Sequence, residues 1–434
     1  MSPPSIAIIG AGPAGLTLAN LLLPLTTTNQ ITLKIYDLDP SATSRADQGG
    51  CLDLHPNDGL AALDKCGLLD RAKPLLRYEG EELTIADLNG TRYIHMTEAP
   101  DIEGHDARPE IDREQLKGIL LDGVKQWVTW GKKLTRVDEA RRVLVFEDGS
   151  EAGPFSLVVG ADGAWSKIRS VLTDVRPVYS GICGFEGNVP VPVPEAVSKM
   201  VGRGSYFAVS GGRGLTGQRQ GNDSVKIGMW LKRDQNFVDE LWSSTGGRQD
   251  ELKAAVLQEY AEWSEDLRNW VKCCQVKRKW VLHELPVGTT WDHKEGWTLI
   301  GDAAHLCTPF AGLGVNAAMK DALELVELIE KAVKEEITLD KAVEDYEKGM
   351  FPRAKTVQDD TMTNKIGMYS QDAPIGFLAG MVKVVGREVG WPVDRGVLYY
   401  VPISKTAYGV FWLRALFGRF LRAVTETFVK QKQA

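Results

Sequence analysis

Three glycine-centred stretches hold the residue types on which the chemistry of this chain depends. The first, Gly10-Ala-Gly12-Pro-Ala14-Gly15, stands where the apolar run Ser5–Ile9 gives way to helical apolar spacing over Pro13–Leu23. In such a turn the first glycine permits a tight bend, the second lets backbone approach a pyrophosphate, and the third allows close packing of helix on strand. Free N–H groups and the positive end of the helix dipole then hold the phosphates. Ile31–Tyr36 alternates, is rich in β-branched residues and ends at Asp37, where a carboxylate can accept hydrogen bonds from ribose hydroxyls. Gly10, Gly12, Ala14, Gly15 and Asp37 are therefore the expected contacts of a dinucleotide. This stretch alone does not separate FAD from NAD.

The second and third stretches make that separation. Leu157–Val159 delivers Gly160-Ala-Asp162-Gly163-Ala-Trp-Ser166-Lys-Ile-Arg169 into a loop. The bland reading of this loop is a turn and an N-capped helix. The strand-like Trp297–Ile300 leads to Gly301-Asp302-Ala-Ala-His305, then to Pro309-Phe310-Ala-Gly312-Leu-Gly314-Val315-Asn316. Asp302 suits a ribityl hydroxyl, because an anionic acceptor matches a polyol and repels a phosphate. Gly312, Gly314, Val315 and Asn316 open a long helix, Gly314 to Val333. Its N-terminus would face the pyrimidine end of an isoalloxazine and stabilise negative charge there by up to about 2 kcal/mol. His305 could act in catalysis, but a buried or capping histidine behind the loop is the expectation. In this order and spacing the three stretches point to FAD.

The string Val158-x-Gly160-Ala-Asp162-Gly163-x-x-Ser166-x-x-Arg169 resembles the signature of flavin aromatic hydroxylases, where the loop serves FAD and bears on reduction by NADPH. With Gly49-Gly50-Cys-Leu52-Asp53-Leu54-His55, Glu110-Ile-Asp-Arg113-Glu-Gln-Leu116, the Gly301–Gly312 region and a helical stretch from Tyr346 to Tyr369, the chain resembles the group A flavoprotein monooxygenases. It is most similar to the tetracycline-inactivating enzymes among them. The resemblance spans roughly residues 5–370, strong in the FAD motifs and thin in the middle of the chain. It implies that Arg113 touches the flavin and that Leu52 and Asp53 lie along the ribityl and ring edge. Read without it, Arg113 belongs to a surface i,i+4 set and Asp53 to a turn.

The same resemblance implies non-covalent FAD, reduction by NADPH or NADH, and hydroxylation by O2 of a phenolic or polycyclic small molecule through a flavin hydroperoxide. The cofactor carries this chemistry, so no catalytic side chain is expected. Pro309, Phe310, Asn364 and Met368 match residues on the substrate side, with core packing as the alternative. Glu186 and Lys226 stand where the tetracycline enzymes carry a glutamine and a histidine, which argues against tetracycline as the native substrate. There are other departures. Asp37-Leu38 replaces a common Glu-Arg, which Arg45 could offset, and Leu313 replaces a common glutamine. An FAD dehydrogenase or reductase on the same fold is the alternative activity. A non-catalytic binding protein is a third reading, which the intact motifs disfavour.

These motifs need elements to position them. The expected fold is α/β: an FAD-binding, Rossmann-like domain of the glutathione-reductase type, with an inserted antiparallel β substrate domain and C-terminal helices. Residues 1–174, with an excursion near 75–105, and 286–350 form the FAD-binding part; 175–285 form the β domain and 351–434 a helical region. Arg142–Glu147 and Leu157–Gly160, around Asp148-Gly149-Ser150, are expected to form a hairpin. Val410–Val429 is a basic amphipathic helix that could pack on the domain or touch a membrane. The length, 434 residues, calls for two or three lobes. A net charge of −7 leaves no nucleic-acid footprint. The six cysteines show neither C-x-x-C nor metal spacing, no leader is evident, and no apolar run spans a bilayer. A cytoplasmic, metal-free monomer is expected.

Overall fold

A run as uniformly apolar as Ile6–Ile9 is stable as a strand only when both of its faces are covered. The computed structural model, which describes residues 3–44, 49–97 and 107–388, places it so. The chain opens with β1 (Ser5–Ile9), α1 (Pro13–Thr27) and β2 (Thr32–Tyr36). Next come β3 (Cys51–Asp53), β4 (Leu83–Ala86), β5 (Arg92–Met96) and β6 (Glu110–Asp112), which runs into α2 (Arg113–Asp122). Then follow β7 (Val128–Thr129), β8 (Leu134–Asp138), β9 (Val143–Phe146), β10 (Glu151–Ala152) and β11 (Leu157–Gly160).

Strands β17 (Trp297–Leu299), β11, β1, β2 and β7 form one parallel sheet in that order. Ile9 pairs with both Gly160 and Tyr36, and Gly160 pairs with Leu299. This register brings the carboxyl ends of four strands level, so Gly10, Asp37, Ala161 and Ile300 leave the sheet along one edge. Ligands of open parallel sheets bind at that edge. Ile6, Ile8, Leu157, Val159 and Leu299 are fully buried there, each worth about 1.5–3 kcal/mol relative to exposure. Helix α1 starts at Pro13 because proline needs no N–H in the first turn and its φ suits a helix.

The second sheet is built from β12 (Val178–Val189), β13 (Ser205–Ser210), β14 (Arg213–Arg219), β15 (Val225–Lys232) and β16 (Gln275–Glu284). Its order is β16-β12-β15-β14-β13-β4-β5, so the early strands β4 and β5 extend it. One face packs on α3 (Phe237–Ser244), α4 (Gln249–Glu259) and α5 (Glu265–Cys273) through Phe185, Tyr206, Ile227 and Trp270. The other face carries Ile85, Ile182, Val209 and Trp230, which pack with Tyr369, Phe377 and Leu378. Helices α6 (Gly314–Val333), α7 (Leu339–Met368) and α8 (Ile375–Glu388) close the molecule.

One expectation is corrected. Leu157–Gly160 does not return as a hairpin partner; Glu151 and Ala152 pair with Val145 and Leu144 instead, and β11 joins β1 in parallel. Its four residues are all buried, which a solvent-facing hairpin would not allow. Strands β12 to β16 pair antiparallel as expected, and β4, from the earlier excursion, joins β13 in parallel. The expected amphipathic helix Val410–Val429 and Arg45 lie outside the described residues. No helix among the described residues is long and apolar enough to cross a membrane.

Candidate functional site

The glycine turn meets the steric demands of a phosphate cradle. Gly10 has φ +111°, and a Cβ there would lie 2.2 Å from the Ala161 carbonyl oxygen. A Cβ on Gly15 would lie 2.0 Å from the Gly10 carbonyl oxygen. Both glycines are therefore required by backbone packing. Gly12 differs: nothing stands within 4 Å of its Cβ position, which leaves room for a ligand at the head of α1. Ala14 is buried beneath the turn and can contribute only its N–H. The Asp37 carboxylate accepts from Ala11 N at 2.6 Å and from Asp39 N at 2.8 Å, which ties the end of β2 to the turn.

The other two loops meet this turn and are held together by one buried side chain. Arg169, 1% exposed, donates through Nε to the Ala303 carbonyl at 2.8 Å. Its terminal nitrogens reach Ala164 O at 2.9 Å and Asp302 O at 3.1 Å. Asp162 accepts from Lys167 N at 2.7 Å through one oxygen, and its buried Oδ1 has no partner. Burial pushes this carboxyl above its usual range. Gly163, at φ +74°, turns the loop. The Asp302 side chain is exposed to the same cavity. An open glycine, an unpaired acceptor and a free carboxylate along one wall suit a group with phosphates at one end and hydroxyls beyond, as FAD has. His305 is not in that wall. It is buried and bonded at 2.7 Å to Asp321, which also accepts from Gly301 N at 2.7 Å. Burial opposes its charge, yet Asp321 holds the imidazole above its ordinary value.

The segments implied by the resemblance divide. Asp53 faces the cavity, with Oδ2 3.0 Å from His55 Nε2 and Oδ1 3.2 Å from where a Gly312 Cβ would sit. Arg113 also lines it, its stem covering Gly49. Leu52 does not: it pairs with Ile111 and turns to the hydrophobic core, as strand alternation requires when Cys51 and Asp53 face the cavity. Val315 likewise packs on the core. The Asn316 amide is used internally, accepting from His55 N at 2.8 Å and Gly59 N at 3.3 Å and donating to Asp53 O at 2.9 Å. Gly314, Val315 and Asn316 can therefore offer a ligand only first-turn N–H groups; Gly312, left-handed at φ +69°, lines the cavity.

One cavity of about 1960 Å³ runs from the glycine turn to the face of the second sheet opposite α3, α4 and α5. Glu186, Lys226, Pro309, Phe310 and Asn364 all line it. Glu186 and Lys226 do not stand as separate polar groups. They form an ion pair at 2.9 Å, and Lys226 Nζ also donates to Gly49 O at 2.7 Å. Asn364 donates to Phe310 O at 3.2 Å. Met368 is corrected: it is fully buried in a cluster with Tyr369, Phe377 and Leu378 and does not line the cavity. A thioether on the inward side of α7 is packing.

Sequence reasoning missed the polar cluster beside this pair. Glu110, 5% exposed, accepts from Arg77 at 2.9 Å and from Gln218 Nε2 at 3.0 Å, while Gln218 Oε1 accepts from Cys51 N at 3.2 Å. Gln218 sits in β14, a strand whose glycines hide its alternation, so no local signal marked it. Burial pushes the Glu110 carboxyl up to about 7, with Arg77 acting in the opposite sense. Between about pH 5 and pH 7 the folded chain therefore keeps a proton that the unfolded chain has released, and stability falls as pH rises, by about 2–3 kcal/mol in all. Denaturant unfolding at about pH 5 and about pH 8 should show this fall, and Glu110→Gln should flatten it. An unchanged slope would mean that Glu110 stays ionised beside Arg77. Among the described residues no group of His, Cys, Asp and Glu is placed to hold a metal ion.

Comparison with known proteins agrees with this geometry. The family model described as "FAD binding domain" matches residues 154–361. Monooxygenase penA of Penicillium thymicola is 29% identical over 423 residues, covering 85% of this chain and 96% of its own length. Among solved structures, Klebsiella pneumoniae HpxO complexed with FAD and uric acid superposes with a TM-score of 0.72 at 21% identity, covering 89% of this chain and 94% of its own. Tetracycline destructase Tet(51) shares the fold, with a TM-score of 0.65 at 15% identity over 89% of this chain and 96% of its own.

Proposed function

We propose that this chain, similar to proteins named as monooxygenases and matched by an FAD-binding family model, is an FAD-dependent monooxygenase that uses NADPH or NADH and O2 to hydroxylate a phenolic or polycyclic small molecule. One observation carries this reading: a continuous cavity runs from the glycine turn, past Asp302 and Gly312, to an aromatic wall that includes Trp230 and Phe310. When bound, FAD supplies the redox and oxygen chemistry. The chain's residues bind, orient and shield. The α1 N-terminus at Gly12 would hold the pyrophosphate, and Asp37 would accept from the adenosine ribose. Asp302 and Asp162 Oδ1 would accept from hydroxyls beyond it. The first-turn N–H groups of α6 would face the ring edge. Glu186, Lys226, Pro309, Phe310 and Asn364 would line the substrate side, where apolar walls exclude water. The six cysteines, all free of disulfides, favour a reducing cytoplasmic setting, and we take the working unit to be a monomer.

The purified protein should be yellow, acid should release all of its flavin, and NAD(P)H oxidation should match O2 uptake and a product heavier by one oxygen. NAD(P)H-dependent reduction of a substrate without O2 consumption would favour the dehydrogenase alternative instead. Asp302→Ala should keep the fold and lose about 1.5–3 kcal/mol of FAD affinity, one to two decades in Kd. Wild-type affinity in fluorimetric titration would show that Asp302 is not a flavin ligand.

A further inference from the structure

The half of the cavity furthest from the glycine turn has its own chemistry. Its wall is aromatic and apolar: Phe207, Trp230, Trp280, Phe310, Phe377 and Met381. Trp230 crosses the sheet at Gly228, where a Cβ would meet its Nε1 at 2.4 Å, and that nitrogen donates to Thr216 Oγ1 at 3.3 Å. The glycine thus lets an indole lie against the strand as a flat floor, with the Phe310 ring edge-on at 6.3 Å. This shape suits fused planar rings.

Two polar atoms in this wall have no partner. Trp280 Nε1 is a buried donor without an acceptor, and Asn364 Oδ1 is a buried acceptor without a donor, while its Nδ2 donates one N–H to Phe310 O. Buried polar groups are rarely left unpaired, and a ligand that supplies one acceptor and one donor would satisfy both. The charges point the same way. Lys226 is already committed to Glu186 and Gly49 O. Glu81 and Glu82 add further carboxylates to the lining. An aromatic carboxylate would find Lys226 engaged and like charges on Glu81 and Glu82.

We propose that this half of the site selects an uncharged fused-ring aromatic bearing both a carbonyl acceptor and an N–H or O–H donor, and discriminates against aromatic carboxylates. The proposal rests on the monooxygenase reading above and narrows its substrate class. Trp280 and Asn364 are the specificity residues, and the Glu186–Lys226 pair withholds the cation that an acid would need.

The test is equilibrium binding to the FAD-loaded protein, followed by calorimetry and by perturbation of the flavin spectrum. Three ring-matched probes serve: 2-quinolinone, uncharged with C=O and N–H; 2-naphthoate, a carboxylate; and 2-methoxynaphthalene, uncharged with no donor. The 2-quinolinone should bind about tenfold or more tighter than either of the others. Trp280→Phe, which keeps a ring and removes the N–H, should weaken 2-quinolinone about five- to tenfold and leave 2-methoxynaphthalene unchanged. Tightest binding by naphthoate, no binding of 2-quinolinone, or an equal loss for all probes in Trp280→Phe would overturn the proposal. Binding needs no turnover, so the two readings fail separately. Preference for 2-quinolinone in a protein that never consumes O2 would defeat only the monooxygenase reading. Preference for naphthoate in one that does would defeat only this proposal.

Discussion

Gly12→Asp should give a folded protein that purifies without yellow colour. Gly12 has ordinary extended backbone angles, φ −83° and ψ −179°, and its Cβ position is open, so an L side chain costs the apoprotein little. The new carboxylate would point into the space read as the pyrophosphate site. Like charges about 4 Å apart at an effective dielectric near 20 repel by about 4 kcal/mol, or roughly three decades in FAD dissociation constant. Gly10→Ala and Gly15→Ala are the contrasting controls. Their new methyl groups would lie 2.2 Å and 2.0 Å from carbonyl oxygens, so they should damage the fold itself. Flavin absorbance relative to protein absorbance, with thermal melts of each apoprotein, separates the cases. A yellow Gly12→Asp protein with wild-type affinity would remove the phosphate from this turn.

That contrast also explains which parts of the site were legible in the sequence. Gly10, Gly15 and Gly163 answer local demands, a positive φ or a carbonyl within touching distance, and local demands leave a mark on residue type. Asp37 and Asp302 follow them at fixed offsets from strand ends. Side-chain direction is less visible. Leu52 and Asp53 are neighbours in one motif, yet strand alternation sends one to the core and the other to the cavity. Asn316 carries the polarity of a ligand and spends it on His55, Gly59 and Asp53. Partners distant in sequence are less visible still. Glu186 and Lys226 meet only because Glu186 pairs with Gly228 and Asn188 with Lys226 across β12 and β15. The same holds for Leu157–Gly160, whose pairing with β1 joins segments far apart in the chain and outweighs a nearby turn that looked sufficient for a hairpin.

Arg169 is the residue for which that long-range dependence should be most costly. Four of its contacts end on backbone carbonyls of two loops, Ala164 on one side and Asp302 and Ala303 on the other. Arg169→Met keeps much of the stem and removes every donor, leaving those carbonyls without it. Hydrogen bonds from a charged group contribute about 1.5–3 kcal/mol each, though not additively, so a loss of about 3–5 kcal/mol in stability is expected. Arg169→Lys should recover little, since one ammonium cannot reproduce a planar fork that reaches both loops. FAD affinity should fall further than in Asp302→Ala, because Asp162 and Asp302 would both lose their fixed positions while keeping their carboxylates. Saturating FAD should then raise the melting temperature of Arg169→Met towards, but not to, that of the wild type, as ligand linkage restores only the bound state. If Arg169→Met melts and binds FAD like the parent, the two loops are positioned by their own turns, and the guanidinium contributes nothing to the cradle.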